Sequence, residues 1–176
     1  QTSQHDAAAT EYREAQKVAD SGDVSAEASV LLGQNRSILL ASQGRIAEAL
    51  EMLDHVLELQ GPELSAARLD TMVRRGYMLN ELAEVADSKR AARELAGRAA
   101  AAAEEVLAAV DPGESPLAER IHYCAVHNLA NALRRLRVGD TWKALGYIRE
   151  ARKLLRGQRS GMARARLDWV EAIVWN

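Results

Sequence analysis

The sequence predicts an all-helical protein. Its 176 residues contain no phenylalanine and only three prolines, and each proline lies between two predicted helices. Apolar residues recur at spacings of three and four along most of the chain, which is the pattern of an amphipathic α-helix. We therefore expect about seven or eight helices, packed as antiparallel pairs in one helical array.

The predicted helices are separated by short breaks rich in glycine, proline and serine. The clearest break runs from Asp111 to Pro116, where Ser115 is a natural helix cap and Pro116 fits a first helical turn. The alanine run Ala99–Ala103 favours helix and allows close contact, so we expect it to pack against a neighbour. The predicted parts are a frayed tail, 1–9; a first helix, about 8–20; helix pairs, about 25–60, 63–110 and 116–156; a terminal helix, 160–176; and a single domain, 10–176.

Two of the pairs turn at a glycine. Gly139 lies where a helix ends and needs a left-handed residue, and Asp140 can cap the helix that follows. Ala144 then lets the second helix pack closely on the first. Gly44 and Ala49 repeat this arrangement earlier in the chain. The sequence thus predicts two copies of one helical hairpin.

These hairpins resemble divergent repeats of the tetratricopeptide repeat (TPR) family. The resemblance implies a right-handed superhelix of stacked helix pairs, whose first helices line a concave surface that binds peptides. The residues that match the second-helix pattern of the family are Gly44, Ala49, Val56, Leu57 and Leu59, and again Gly139, Asp140, Ala144, Leu145 and Ala151; residues Leu129–Leu133 resemble its first-helix pattern.

Composition favours a soluble, cytoplasmic protein. No run approaches the roughly 18 apolar residues of a membrane span, and the N-terminus lacks a charged-then-apolar leader. Cys124 is the single cysteine, which excludes an intramolecular disulfide and fits a reducing compartment. Because the chain begins at Gln1 rather than at methionine, we expect it to be a piece of a longer protein.

Charge is distributed unevenly along the chain. Residues 1–64 carry four basic and eleven acidic side chains, whereas residues 120–168 carry twelve basic and three acidic ones. Solvated helix faces account for most such runs. The alternative is that the arginine-rich end meets an acidic peptide, a phosphate-bearing ligand or the acidic end of a second copy. Nucleic acid is disfavoured because few aromatic residues interleave the arginines.

Asparagines on the predicted first helices mark the candidate contact surface. A side-chain amide can donate to and accept from a peptide backbone at once. In peptide-binding tetratricopeptide proteins an asparagine on the first helix does this, and Asn131 stands at the matching place. The alternative is that Asn131 bonds a neighbouring helix or water. The candidate partner contacts are Asn128, Asn131, Arg134 and Arg137.

The predicted last helix is apolar where the last helix of a repeat array should be polar. Either its tryptophans turn inward onto the preceding helix, or the helix awaits a partner in missing sequence or in another chain. Homo-oligomerisation through this helix is therefore the alternative function. The candidate interface residues are Trp169, Val170, Ile173 and Trp175.

Signals for catalysis are weak. Cys124 and His127 share a helix face and could form a nucleophile pair or half of a metal site, but a small buried thiol beside a surface or core histidine explains them better. The sequence contains no glycine-rich phosphate loop and no zinc-protease helix motif. We expect no cofactor and no metal, and an enzyme built on Cys124 and His127 is a distant alternative.

The sequence thus predicts a non-enzymatic module that binds a protein or a peptide. An acidic peptide and a second copy of the chain are both candidate partners, and a membrane is not. By resemblance, such modules often form the regulatory or sensor part of larger bacterial signalling or transcription proteins.

Overall fold

The computed structural model is all-helical over the residues that it describes, which are 10, 17, 25–136, 141–154, 167–169 and 171–172. No strand occurs among them, so the predicted fold class is confirmed at this level. None of the helices in these ranges is long and apolar enough to cross a membrane. Within this part of the chain six helices have defined bounds: α1, Ala26–Ser42; α2, Ile46–Gln60; α3, Ala66–Glu84; α4, Lys89–Ala109; α5, Pro116–Leu136; and α6, Thr141–Leu154.

Several predicted features lie outside the described residues. They are the frayed tail at 1–9, the turn at Gly139–Asp140, and most of the helices predicted at about 8–20 and 160–176. Among the described residues of those two helices, 10, 17, 167–169 and 171–172 are helical. We call residues 167–169 and 171–172 the terminal segment.

Serine side chains set the start of four helices. The hydroxyl oxygens of Ser25, Ser65 and Ser88 each accept a hydrogen bond from the backbone N–H three residues further on, at 3.2, 3.2 and 3.1 Å. Ser115 accepts in the same way from Ala118, at 3.1 Å, as the sequence predicts. Because a helix start leaves its first N–H groups unpaired, such caps fix where each helix begins.

The chain groups into two compact units, residues 1–63 and 64–176. The first contains α1 and α2, and the second contains α3 to α6 and the terminal segment. A single domain over 10–176 stays a prediction.

In the first unit, α2 folds back on α1 at Gly44, as predicted. Gly44 has φ +77°, which favours glycine because it has no Cβ. Its N–H donates to Ala41 O at 2.9 Å, and the N–H of Arg45 donates to Leu40 O at 2.9 Å. These two bonds are the Schellman motif that closes many helix C-termini.

The contact between α1 and α2 is closest at Gly33. A Cβ added to this buried residue would lie only 2.4 Å from Val56 Cγ2. Val56 is 1% exposed and β-branched, so its methyl groups have little freedom to move aside. A glycine is therefore required in α1 for the two helices to lie at this distance.

In the second unit, α4 packs against both α3 and α5. The buried residues of α4 are mostly small: Ala96, Ala99, Ala100, Ala103 and Val106. Three of them belong to the alanine run Ala99–Ala103, which is therefore a packing surface, as expected. α3 and α5 also contact each other, and α6 packs on α5.

α3 and α5 run in the same direction. The residue pairs that join them include Asp70 with Arg120, Asn80 with Asn128, and Glu84 with Arg135. The first two pairs are separated by 50 and 48 positions, and the third has nearly the same separation. A constant offset along both helices means that they are parallel. This is the relation that the first helices of successive helix pairs should have.

We expect Gly33→Ala to destabilise the first unit. Alanine gains about 0.5–1 kcal/mol of helix propensity over glycine, but the clash with Val56 should outweigh this gain and leave a net loss of about 1–2 kcal/mol. Urea denaturation followed by circular dichroism measures the change. Gly97→Ala is the control, because nothing lies within 4 Å of a Cβ at Gly97 in α4. It should be neutral or stabilising, and equal losses in the two variants would contradict the close contact.

Candidate functional site

A cleft of about 380 Å³ lies between α3 and α5. Counted from Tyr77 on α3 and from His127 on α5, the other lining residues of each helix follow at three, four, seven or eight positions, so they lie on one side of their helix. The parallel packing of the two helices therefore brings distant parts of the chain to one site. The lining residues are Tyr77, Asn80 and Glu81 from α3; His127, Asn131, Arg134 and Arg135 from α5; and Trp169 from the terminal segment.

A buried pair of asparagines joins the two helices beside the cleft. The side-chain Nδ2 of Asn128 donates to the backbone oxygen of Val73 at 2.7 Å. In return, Nδ2 of Asn80 donates to the backbone oxygen of Asn128 at 3.0 Å. Asn80 is 3% exposed and Asn128 is 2% exposed. Because water hardly reaches either amide, both bonds hold α3 against α5.

Gly76 allows this contact to form. A Cβ at Gly76 would lie 3.1 Å from Asn128 Nδ2, which is closer than most Cβ contacts. The absent side chain leaves room for the Asn128 amide to lie against α3. The glycine at position 76 therefore provides the space that the Asn128 amide occupies.

The oxygen of the Asn80 amide is unpaired. Asn80 Oδ1 is closed to solvent and has no hydrogen-bond partner. The amide cannot simply be turned over, because Nδ2 would then leave Asn128 O and two oxygens would face each other. Asn80, which lines the cleft, thus carries a buried hydrogen-bond acceptor whose orientation is fixed.

An ion pair crosses from α5 to α3 at Arg135. Its Nη2 contacts the carboxylate of Glu84, while its Nε is buried and has no partner. The side chain of Arg135 is 17% exposed. Arg135, which also lines the cleft, therefore carries a buried donor, and the same guanidinium is held by its contact with Glu84.

The aromatic wall of the cleft is a stacked pair. The rings of His127 and Trp169 lie 5.0 Å apart between centroids, with an angle of 23° between their planes. Nδ2 of Asn131 lies 3.1 Å from Nε2 of His127 and donates to it when that nitrogen is unprotonated. Trp169 remains 58% exposed, so a large part of its indole is open to a partner.

Tyr77 and Glu81 form the opposite wall. Burial raises the pKa of the Tyr77 hydroxyl, and the neighbouring charge and hydrogen bond of Glu81 raise it further. Tyr77 is 43% exposed. The hydroxyl therefore stays protonated at neutral pH and can donate to a ligand or to Glu81.

Most of the basic side chains that the structure describes in the arginine-rich end of the chain are paired with carboxylates. Arg120 pairs with Asp70, Lys143 with Glu104, and Lys153 with Glu150. Arg152 contacts both Asp168 and Glu171, at 2.5 Å each. Within the described part of the chain, residues Arg134 and Arg149 make no ion pair. The charge of Arg134 is exposed at the cleft, so it is the cation there that remains open to a partner.

The four predicted partner contacts have different positions. Asn131 is half-buried and Arg134 is exposed, and both line the cleft. Asn128 is buried and its amide is used between the helices, so it is not open to a partner. Arg137 lies outside the described residues.

The predicted terminal interface is described only at Trp169. Its indole stacks on His127 of α5, and Leu167, two residues before it, is fully buried. Val170, Ile173 and Trp175 lie outside the described residues.

Sequence reasoning did not assign Tyr77, Asn80, Glu81, His127 or Arg135 to the site. Asn80 could be recognised from the sequence as an asparagine on a predicted first helix. Its bonding partner could not be recognised. The signal that could have found it is the pairing of Asn80 with Asn128 at nearly the offset that separates the charged pairs. That offset becomes visible only when α3 and α5 are known to be parallel neighbours.

Cys124 and His127 both lie on α5 and are half-buried. The recorded partners of His127 include Asn131 and Trp169, so this ring is part of the cleft wall. Among the described residues, no group of three or more histidine, cysteine, aspartate or glutamate side chains could hold a metal ion.

Comparison of the chain with protein-family models, with curated proteins and with solved structures found no match. The function of the chain is therefore inferred from the site itself.

We expect Asn128→Ala to lower the free energy of unfolding by about 1–3 kcal/mol, because it removes a buried hydrogen bond and leaves a small cavity. Asn131→Ala is the control on the same helix. Since Asn131 is half-buried, its loss should change stability by only about 0.5 kcal/mol. Thermal and urea denaturation measure both, and a similar effect of the two variants would contradict the structural role of Asn128.

We expect His122 to make the protein less stable in mild acid. Burial lowers the pKa of His122 below its ordinary value of 6.5. As pH falls through about 6.5, the unfolded chain therefore takes up a proton more readily than the folded chain, which favours unfolding.

His122→Gln removes this difference. Between about pH 7 and about pH 5, the wild type should lose more stability than the variant. The measurement is urea denaturation at several pH values, and parallel curves for the two proteins would contradict the effect of burial.

Proposed function

We propose that this chain is a non-enzymatic interaction module that binds a peptide segment of a partner protein in the cleft between α3 and α5. The observation that carries the proposal is the composition of the cleft. An exposed tryptophan, an exposed tyrosine and an unpaired arginine line it beside Asn131. Tryptophan, tyrosine and arginine are the residues most enriched where protein interfaces gain their affinity.

The helix arrangement supports a repeat architecture of tetratricopeptide type. α3 and α5 are parallel neighbours with α4 packed against both, as the first helices of two stacked pairs would be. In such an array the first helices line the binding surface. Asn131, the residue that matches the first-helix pattern, lines the cleft together with Arg134.

The proposed module belongs to the cytoplasm, in keeping with a single cysteine. It would serve as the regulatory or sensor part of a larger bacterial signalling or transcription protein. Fold resemblance alone does not fix such a role, so the experiment addresses binding.

Self-assembly is the second candidate function. The observation that favours it is the exposed indole of Trp169 in the terminal segment. The same experiment separates the two, because a change in solution mass and a change in peptide affinity are measured independently.

Peptides for the test come from a random dodecapeptide library selected on the immobilised chain, and fluorescence anisotropy gives their dissociation constants. We expect Trp169→Ala and Arg134→Ala each to weaken binding by about tenfold or more, as loss of an interface anchor does. The matched controls are Trp142→Ala and Arg149→Ala. Both residues are exposed on α6 and neither lines the cleft, so these variants should bind like the wild type.

Equal effects of the cleft variants and their controls would contradict binding in the cleft. Light scattering on the same samples gives the solution mass. If Trp169→Ala reduces that mass and leaves peptide affinity unchanged, self-assembly replaces peptide binding as the function.

A further inference from the structure

Two residues that line the cleft carry buried polar atoms of opposite kind that lack a partner. Asn80 Oδ1, on α3, can only accept a hydrogen bond, and Arg135 Nε, on α5, can only donate one. Buried polar groups in proteins are nearly always paired, and leaving one unpaired is costly. The two helices thus each bring one unsatisfied group to the same cleft, which indicates a ligand that satisfies both.

Both groups are held in place by bonds that the rest of their side chains make. The Asn80 amide is held by its bond to Asn128 O at 3.0 Å, and the Arg135 guanidinium by its contact with Glu84. Rotating either side chain would break a bond that joins α3 to α5. The acceptor and the donor are therefore fixed before a ligand arrives, which reduces the entropy lost on binding.

The charges around the cleft cancel. Arg134 and Arg135 line it together with Glu81, and Glu84 pairs with Arg135. An anionic ligand would meet Glu81, and a cationic one would meet Arg134. A neutral group that carries both a donor and an acceptor suits this surface best, and the amide is such a group.

The volume of the cleft and the depth of the two unpaired atoms favour a side chain of the ligand over a stretch of its backbone. A volume of about 380 Å³ is near the lower end of the range for ligand sites. Both unpaired atoms are closed to water, so the ligand must project inward between the exposed members of the lining. The exposed members of that lining are Tyr77, Arg134 and the 58% exposed Trp169.

We propose that the cleft binds the primary carboxamide of a glutamine or asparagine side chain in the partner peptide. The carboxamide NH₂ donates to Asn80 Oδ1, and its oxygen accepts from Arg135 Nε. The exposed indole of Trp169 covers the aliphatic part of the inserted side chain. This inference rests on the proposed peptide binding and specifies what the cleft selects.

The test uses four capped amino acids as probes: the N-acetyl N-methylamides of glutamine, glutamate, lysine and methionine, titrated at neutral pH into the ¹⁵N-labelled full chain. The four side chains are similar in length and differ in charge and hydrogen bonding. We expect the glutamine probe to shift the side-chain NH₂ signals of Asn80 and the Nε–H signal of Arg135, and to saturate. The other three probes should bind at least about tenfold more weakly, because each leaves at least one buried atom unpaired.

Arg135→Lys is the matched variant. It keeps the positive charge next to Glu84 but removes the Nε donor, so affinity for the glutamine probe should fall by about tenfold. Arg74→Lys is the control. It makes the same change at an arginine that pairs with Asp70 and does not line the cleft, and it should leave the affinity unchanged.

Two outcomes would overturn the inference. One is equal binding of the glutamine and glutamate or lysine probes, or equal affinity of Arg135→Lys and wild type. The other is the absence of saturable shifts with the glutamine probe while library-selected peptides still bind and are weakened by Trp169→Ala. In the second case peptide binding in the cleft stands and only its selectivity is wrong. If no selected peptide depends on the cleft, the proposed function itself fails.

Discussion

The buried amide contact between α3 and α5 is the interaction on which the second unit depends. Asn128 donates to Val73 and receives from Asn80, and Gly76 leaves the space that its amide fills. A buried polar contact of this kind stabilises only when both partners are aligned. It therefore fixes the relative position of the two helices along their axes, which apolar packing alone specifies less strictly. The residues of α3 and α5 that line the cleft take their positions from that alignment.

Local sequence signals predicted the helices well. Serine caps, the glycine turn at Gly44 and the proline at the start of α5 act through groups a few residues away, so they can be recognised without knowledge of the fold. The alanine run in α4 was likewise interpretable, because small side chains on a helix have few roles other than close contact. What the sequence did not show is which helices lie side by side.

In the candidate site too, the sequence did not show which residues of different helices lie together. Asn131 and Arg134 were found because a family pattern covers Asn131 and because arginine accumulates in this part of the chain. Asn80 and Arg135 were not assigned, since their importance lies in what they fail to bond, and an unpaired atom is visible only in three dimensions. Asn128 was placed with Asn131 for its residue type, yet the two amides are three positions apart on a helix and face different surroundings. One is buried against α3, and the other faces the cleft. Residue type alone does not separate a structural amide from one that is open to a partner.

No residue of α4 lines the cleft, but the alanine face of this helix affects the width of the cleft. α4 packs against both α3 and α5, and four of its five buried residues are alanines with no atoms beyond Cβ, so this face has little flexible material that could absorb a change in volume. α4 therefore sets part of the separation between α3 and α5, and with it the width of the cleft. Natural variation in α4 would therefore alter what the cleft can admit, even where every residue that lines it is unchanged.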